Sequence, residues 1–294
     1  MVSAVRTVLG EVAADRLGVV DAHDHLFIRS PLLPGQELAD VGRAAAALGA
    51  FRELGGGTVV QWTPYGMGRR VAELSALSRD FGVHVIAATG LHQASHYPDE
   101  LIRRVRGRLA ELFVTELTEG VGATGVRAGL IKVAGGFHGL DDHATFTMRA
   151  AAEAHHVTGA PIAVHLELGT GALDVLDLLC GQLGVAPGSV ILGHLNRSPD
   201  FAVHRLAAEA GAHLAFDGPS RANHATDWRM PEALAALADA GFADRLLLGG
   251  DTVTPDTPGM PYLLRRVRPR LALTLGDELV DRILVANPAR VYAW

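Results

Sequence analysis

A chain of 294 residues that is 49% hydrophobic and 20% charged has apolar material for a large core and is not wholesale disordered. Its net charge of −6, with no long basic run, argues against nucleic acid and anionic membranes as partners. The single cysteine, Cys180, rules out an internal disulfide and suits a reducing cytoplasm, no signal-peptide pattern is read at Met1–Arg6, and no stretch approaches the roughly 18 apolar residues of a membrane span.

Residues 1–16 read as a short N-terminal addition. Beyond them, short apolar and often β-branched runs alternate with Ala/Leu-rich stretches of helical period. Leu17–Asp21 is the first expected strand and Val41–Leu54 the first helix; Thr58–Trp62 and Arg69–Phe81 follow, then Val83–Thr89 and Pro98–Thr118. The alternation continues with Ala128–Val133 and Thr145–Thr158, Ile162–His165 and Ala172–Leu183, Val190–His194 and Phe201–Ala210. His213–Phe216, Pro231–Ala240 and a last strand, Leu246–Gly250, precede closing helices within Leu263–Trp294. Strands apolar on both faces and joined by helices are parallel strands of a buried sheet. Eight of them predict an α/β fold, a (β/α)8 TIM barrel, as a single domain over 1–294. An open doubly wound sheet is the competitor, and no Gly-x-Gly-x-x-Gly follows the first strand to support a dinucleotide-binding version of it.

Working residues of such barrels lie at the C-terminal ends of the strands. The first strand runs out in His23-Asp24-His25, the fourth in Lys132, the fifth in His165, the sixth in His194 and the eighth in Asp251. Alternation along a strand puts His23 and His25 on one side, where they can share a metal. Neutral imidazoles and carboxylates in this number are the expected ligands of zinc or a similar ion. Lys132 is the only lysine among 26 basic residues, and it sits in an apolar run. Where a cation would suffice the chain uses arginine, so Lys132 marks a site that needs an amine, which burial can deprotonate. A neutral amine can add carbon dioxide to give a carbamate, an anionic bridge between two metal ions. A Schiff-base role is the alternative, but it leaves the histidines unexplained.

With these residues in hand, the chain resembles the phosphotriesterase-like family of the amidohydrolase superfamily, and in particular its lactonases. The likeness runs from Thr7-Val8-Leu9-Gly10-Glu11 and His23-Asp24-His25-Leu26 through Gly129-Leu130-Ile131-Lys132-Val133, Val164-His165, Gly193-His194 and Gly249-Gly250-Asp251 to Asn287-Pro288-Ala289-Arg290. The resemblance implies two divalent ions, with zinc expected and manganese, cobalt or iron fitting the same ligands. His23, His25 and Asp251 hold the buried ion, and His165 and His194 the more exposed one. Carbamylated Lys132 and a hydroxide bridge them, and Asp251 serves as base and proton shuttle. The implied reaction is hydrolysis of a lactone or other carboxylic ester, with side activity on organophosphate triesters. Hydrolysis of an amide, carbamate or phosphodiester at the same centre stays open, as does a non-catalytic barrel that binds metal or ligand. The expected partner is a small-molecule substrate, and dimers are common in the family.

Two departures from the family pattern stand out. After the seventh strand the family commonly places a His or Arg beside an aspartate; here the segment reads Phe216-Asp217-Gly218-Pro219-Ser220-Arg221, so either Arg221 or His224 substitutes or the proton path differs. His92 stands where lactonase-like members often carry an aromatic. Candidate substrate contacts are Trp62, Tyr65, His92, Tyr97, Arg197, Arg221 and His224, with Phe137 and Trp228 as further aromatics and His96, His138 and Glu167 as further polar groups.

Overall fold

A computed structural model describes residues 4–35, 37–219 and 223–294. The apolar runs form eight parallel strands: β1 (Val19–Asp24), β2 (Gly56–Gln61), β3 (His84–Gly90), β4 (Leu130–Ala134), β5 (Ile162–His165), β6 (Val190–Gly193), β7 (His213–Asp217) and β8 (Leu246–Gly249). Each pairs with the next in chain order, and helices pack around the sheet. Val20, Val60, Ile86, Leu130, Ala163, Ile191, Ala215 and Leu247 fill the inside. Their neighbours Val59, Val85, Ile131, Val164, Leu192, Leu214 and Leu248 pack outward with the helices. Burial on both faces is the reason the runs lack polar alternation, and each buried Val, Leu or Ile side chain contributes roughly 1.5–3 kcal/mol.

No ladder joins β8 to β1 among the described residues; side chains and loop backbone close that seam instead. The N–H of Asp251 donates to His23 O at 2.9 Å. Asp21 accepts from the N–H groups of His23 and Gly250 at 3.2 and 3.1 Å, and Asp24 from those of His25 and Thr252 at 2.7 and 2.8 Å. Burial, and then the charge of Asp24, pushes the Asp21 carboxyl well above the usual carboxylate range. Gly249 lies so close to β1 that a Cβ there would fall 2.6 Å from His23 O, so the barrel closes only with glycine at this position.

The opposite end is plugged. A hairpin of Ala4–Thr7 with Gly10–Ala13 and the helix Asn287–Val291 carry Val5, Val291 and Tyr292 into the inner cluster. Tyr292 donates to Ala22 O at 2.8 Å, and Trp294 Nε1 to Gly129 O at 2.9 Å.

The helices follow the expected stretches, and two differences bear on the site. Pro98–Thr118 divides into Asp99–Arg106 and Leu109–Thr118, where Gly107 caps the first and Arg108 leaves helical geometry (φ −141°, ψ 23°). Arg69 and Arg70 stay outside the helix Val71–Phe81, because Arg70 is left-handed (φ 46°) and Arg69 turns inward to Glu116. Of the described residues, no helix is long and apolar enough to cross a membrane.

Candidate metal centre

At the mouth of β1 simple alternation fails. Ala22 joins the inner cluster, its neighbour His23 lines the cavity, and the ladder to β2 shifts register between Asp21 and Asp24. That irregularity, a device common beside active sites, brings His23 and His25 together with ring centroids 5.4 Å apart. Asp251 meets them from the end of β8: its Oδ1 lies 3.5 Å from His23 Nε2 and 3.7 Å from His25 Nε2. Across the mouth, His194 Nε2 and His165 Nδ1 approach to 2.8 Å. His194 and Asp251 both sit in the left-handed region, at φ 65° and 48°, a strained backbone that non-glycine residues adopt mainly where function holds them there.

The far side of each ring shows which nitrogen is free. His23 Nδ1 lies 2.8 Å from Asp217 Oδ1, and His194 Nδ1 lies 2.6 Å from Asp217 Oδ2. His25 Nδ1 is 2.7 Å from Thr63 Oγ1, whose own proton goes to Phe27 O at 2.6 Å, so the threonine accepts from the histidine. His165 Nε2 donates to Glu167 Oε2 at 3.0 Å. His23, His25 and His165 therefore each give a proton to an oxygen behind the ring and present a lone pair to the centre, while His194 Nδ1, close to Asp217 Oδ2, makes no well-aligned hydrogen bond. Outer carboxylates and hydroxyls orient metal-binding histidines in this way. His23, His25 and Asp251 form a group whose ligand atoms lie within 4.8 Å of one another. His23, His194 and Asp217 form another, but there the carboxylate faces the outer nitrogens, the place of a supporting group. The donor set fits divalent transition ions on both sides of the mouth.

Lys132 is buried in the middle of β4 and lines the same cavity, where Gly90 (φ 115°) passes so close that a Cβ there would lie 1.9 Å from Lys132 O. Burial, only partly offset by Asp251 and Glu167, pulls its ammonium down to about 7. Much of it is then a neutral amine at physiological pH. Burial and then the neighbouring His23 push His25 well below the usual imidazole range, and burial and then Arg197 do the same to His194. Glu167 falls to about 2, chiefly through its hydrogen bond with His165. Burial by itself would raise Asp251, but Arg197, His194 and His23 outweigh it and hold the carboxyl below its usual range.

The cavity over these residues has a volume of about 450 Å³ and is walled by His92, Gln93, His96, Arg197, Asn223 and Val253 among others. Of the expected substrate contacts, His92 and Arg197 line it. Trp62 does not: it is fully buried beneath His23, ring centroids 3.8 Å apart, and donates to Ala22 O at 2.8 Å. Tyr97 is also buried, its hydroxyl donating to Tyr65 O at 3.0 Å, and neither tyrosine lines the cavity. Both serve to hold the loop after β3. Phe137, His138 and Trp228 are exposed outside it, and Glu167 belongs to its wall.

His224 lines a separate surface cavity with Pro219, Trp228 and Tyr262, and Arg221 lies outside the described residues. Among the described residues, Arg197, from the loop after β6, makes an ion pair with Asp251. Asp217 carried no role in the sequence reading, although its place at the end of β7 obeys the same strand-end rule that marked the other residues.

A model of the phosphotriesterase family matches residues 3–292. The phospho-furanose lactonase of Mycoplasmopsis synoviae (strain 53) is 32% identical, over 98% of this chain and 91% of its own length. Among solved structures, a lactonase from Listeria monocytogenes superposes with a TM-score of 0.92 at 28% identity, covering 99% of each chain. A mutant organophosphorus hydrolase from Deinococcus radiodurans gives 0.88, also at 28%, over 98% of this chain and 97% of its own.

Proposed function

Because the chain belongs to the phosphotriesterase family of metal-dependent hydrolases, we propose that it opens a lactone or similar carboxylic ester at a pair of divalent ions. His23, His25 and Asp251 would hold one ion, and His165 and His194 the other. Lys132, as its carbamate, would supply an anionic ligand to both. One observation carries this reading: His23, His25 and His165 are turned lone pair inward by an acceptor behind the ring, and His194 closes on His165 across the mouth. The lactone preference draws on the relative and the neighbour named as lactonases. When bound, the ions supply a water deprotonated near neutral pH and a Lewis acid for the carbonyl oxygen.

The chain's own residues do the rest. The Lys132 amine, neutral in part near pH 7, adds carbon dioxide with loss of one proton and becomes an anion that suits a site between cations. Asp251, kept ionised by Arg197, takes the proton released as oxygen adds to the acyl carbon, and returns it to the departing alkoxide. Leu33, Met67 and Val253 give the cavity an apolar side that excludes water from the ring of a bound lactone. Organophosphate triesters fit the same geometry as a side activity.

Elemental analysis of protein purified without chelator tests the centre. About two transition-metal equivalents per chain are expected, falling sharply in Lys132→Ala and partly restored by a short carboxylic acid. Removing the metal with a chelator should abolish lactone hydrolysis, and adding zinc or manganese should restore it. Protein that stays metal-free in the presence of metal and bicarbonate would sink the proposal. Turnover of amides, carbamates or phosphodiesters in preference to lactones would move the substrate assignment to that class.

A further inference from the structure

Two more histidines, His92 and His96, line the same cavity on the loop that follows β3, with ring centroids 4.2 Å apart. Their hydrogen bonds run the opposite way from those of His23, His25 and His165. The backbone N–H of Gln93 donates to His92 Nδ1 at 2.7 Å, so that nitrogen holds a lone pair and a neutral ring carries its proton on Nε2. His96 Nδ1 lies 3.1 Å from Ser30 Oγ, and that oxygen already accepts from the N–H of Leu33 at 3.2 Å. The buried Ser30 hydroxyl then satisfies its own proton by donating to His96 Nδ1, which gives His96 the same tautomer.

The loop that carries them is firmly tied. The His92 N–H donates to Tyr97 Oη at 2.9 Å, and His143 Nε2 donates to His92 O at 2.8 Å. His92 is packed against His165, ring centroids 4.6 Å apart, so this pair borders the more exposed metal side of the mouth. A ring whose Nδ1 is occupied by a framework donor and whose Nε2 carries a proton is no metal ligand. It is a hydrogen-bond donor.

We propose that His92 and His96 form a subsite donating paired hydrogen bonds to an oxygen of the substrate outside the ester that is cleaved. The chain would thereby select lactones bearing a hydroxyl or phosphoryl oxygen over unsubstituted ones. The inference rests on the proposed lactone hydrolysis for its substrate, but not for its tautomers. It divides the six imidazoles of one cavity into four that receive a cation and two that receive an oxygen. A site built to hydrogen-bond an oxygen rejects analogues that lack it, because its buried donors are then left unpaired.

Three probes test it on the zinc-loaded protein: γ-butyrolactone, a hydroxylated γ-lactone, and that lactone as its phosphate monoester. Wild type should favour an oxygen-bearing probe in kcat/KM. The ratio over γ-butyrolactone should fall roughly 10- to 100-fold in His92→Phe and in His96→Phe, at unchanged metal content, with partial recovery in His92→Gln. A loss on the hydroxylated probe identifies a hydroxyl as the acceptor, and a loss confined to the monoester identifies the phosphoryl group. Ratios that stay at the wild-type value, or metal lost from either variant, would overturn the subsite. Long-range ¹⁵N–¹H spectra give a second readout that requires no turnover. His92 and His96 should be neutral and protonated on Nε2, and their signals should shift when a hydroxylated probe is added. A proton on Nδ1 of either ring defeats the inference even if lactones are hydrolysed. Failure to hydrolyse any lactone while the tautomers and shifts are as expected defeats the proposed reaction and leaves the subsite standing.

Discussion

Asp251 divides its two oxygens between different tasks. Oδ1 faces His23 and His25, while Oδ2 is held by Arg197, a guanidinium in the cavity wall. A buried carboxylate with one oxygen neutralised in this way presents a single, oriented ligand atom. Arg197→Met should therefore weaken metal binding at this side by roughly 10- to 100-fold, the usual effect of removing a group that orients a ligand. Arg197→Lys should recover only part of it, since an ammonium lacks the planar fork. Titration with buffered zinc measures both. If Arg197→Met binds zinc like wild type but raises KM, the arginine contacts substrate and does not position Asp251. The sequence could not single out Arg197 as a partner of Asp251, because reaching that carboxylate depends on how β6 and β8 lie across the mouth. Asp217 was hidden for another reason: a carboxylate that supports two histidines looks, in one dimension, like any aspartate after a strand.

At the level of elements, the wall of the site is held from behind. Arg69, just before the helix Val71–Phe81, pairs with Glu116 of the helix Leu109–Thr118 and donates to Ala88 O in β3 at 2.9 Å. Thr89 adds a hydrogen bond to the same carboxylate. Both charged partners are buried. The pair thus ties the loop after β2 and a peripheral helix to β3, whose C-terminal loop carries His92 and His96. Glu116→Ala leaves the Arg69 charge buried and alone, and should cost about 3 kcal/mol in urea unfolding. A cost below about 1 kcal/mol, the value of an exposed pair, would show that water reaches the arginine. The strands and helices themselves were legible from period and punctuation. The break at Gly107 and the inward turn of Arg69 were not, because a helical composition runs straight through both.

For the molecule as a whole, pH tests how dry the barrel is at its closed end. His213, the first residue of β7, is held down to about 4 by burial, then by Arg245 and Arg290. Its folded value lies below the ordinary 6.5 of an unfolded chain, so the stability it contributes is present above pH 6.5 and is lost as the pH falls toward 4. Between pH 7 and 5 the loss should be about 2 kcal/mol, and His213→Phe should remove that part of the slope. Urea unfolding at both values, at equal metal content, measures it; an unchanged slope would mean that His213 titrates normally.

The sequence by itself determined the alternation of eight buried strands with helices and the ligand-type residues that end five of those strands, because period and side-chain chemistry are local properties. Only the tertiary structure decided that Trp62 lies beneath His23 and not in the cavity, and that Arg197 is the residue paired with Asp251. It also decided that His23 Nδ1 faces Asp217 while His92 Nδ1 accepts from the N–H of Gln93. Those outcomes depend on β8 closing against β1 through Asp21, Asp24 and Gly249. That contact joins the two ends of the barrel sequence, and no local pattern records it.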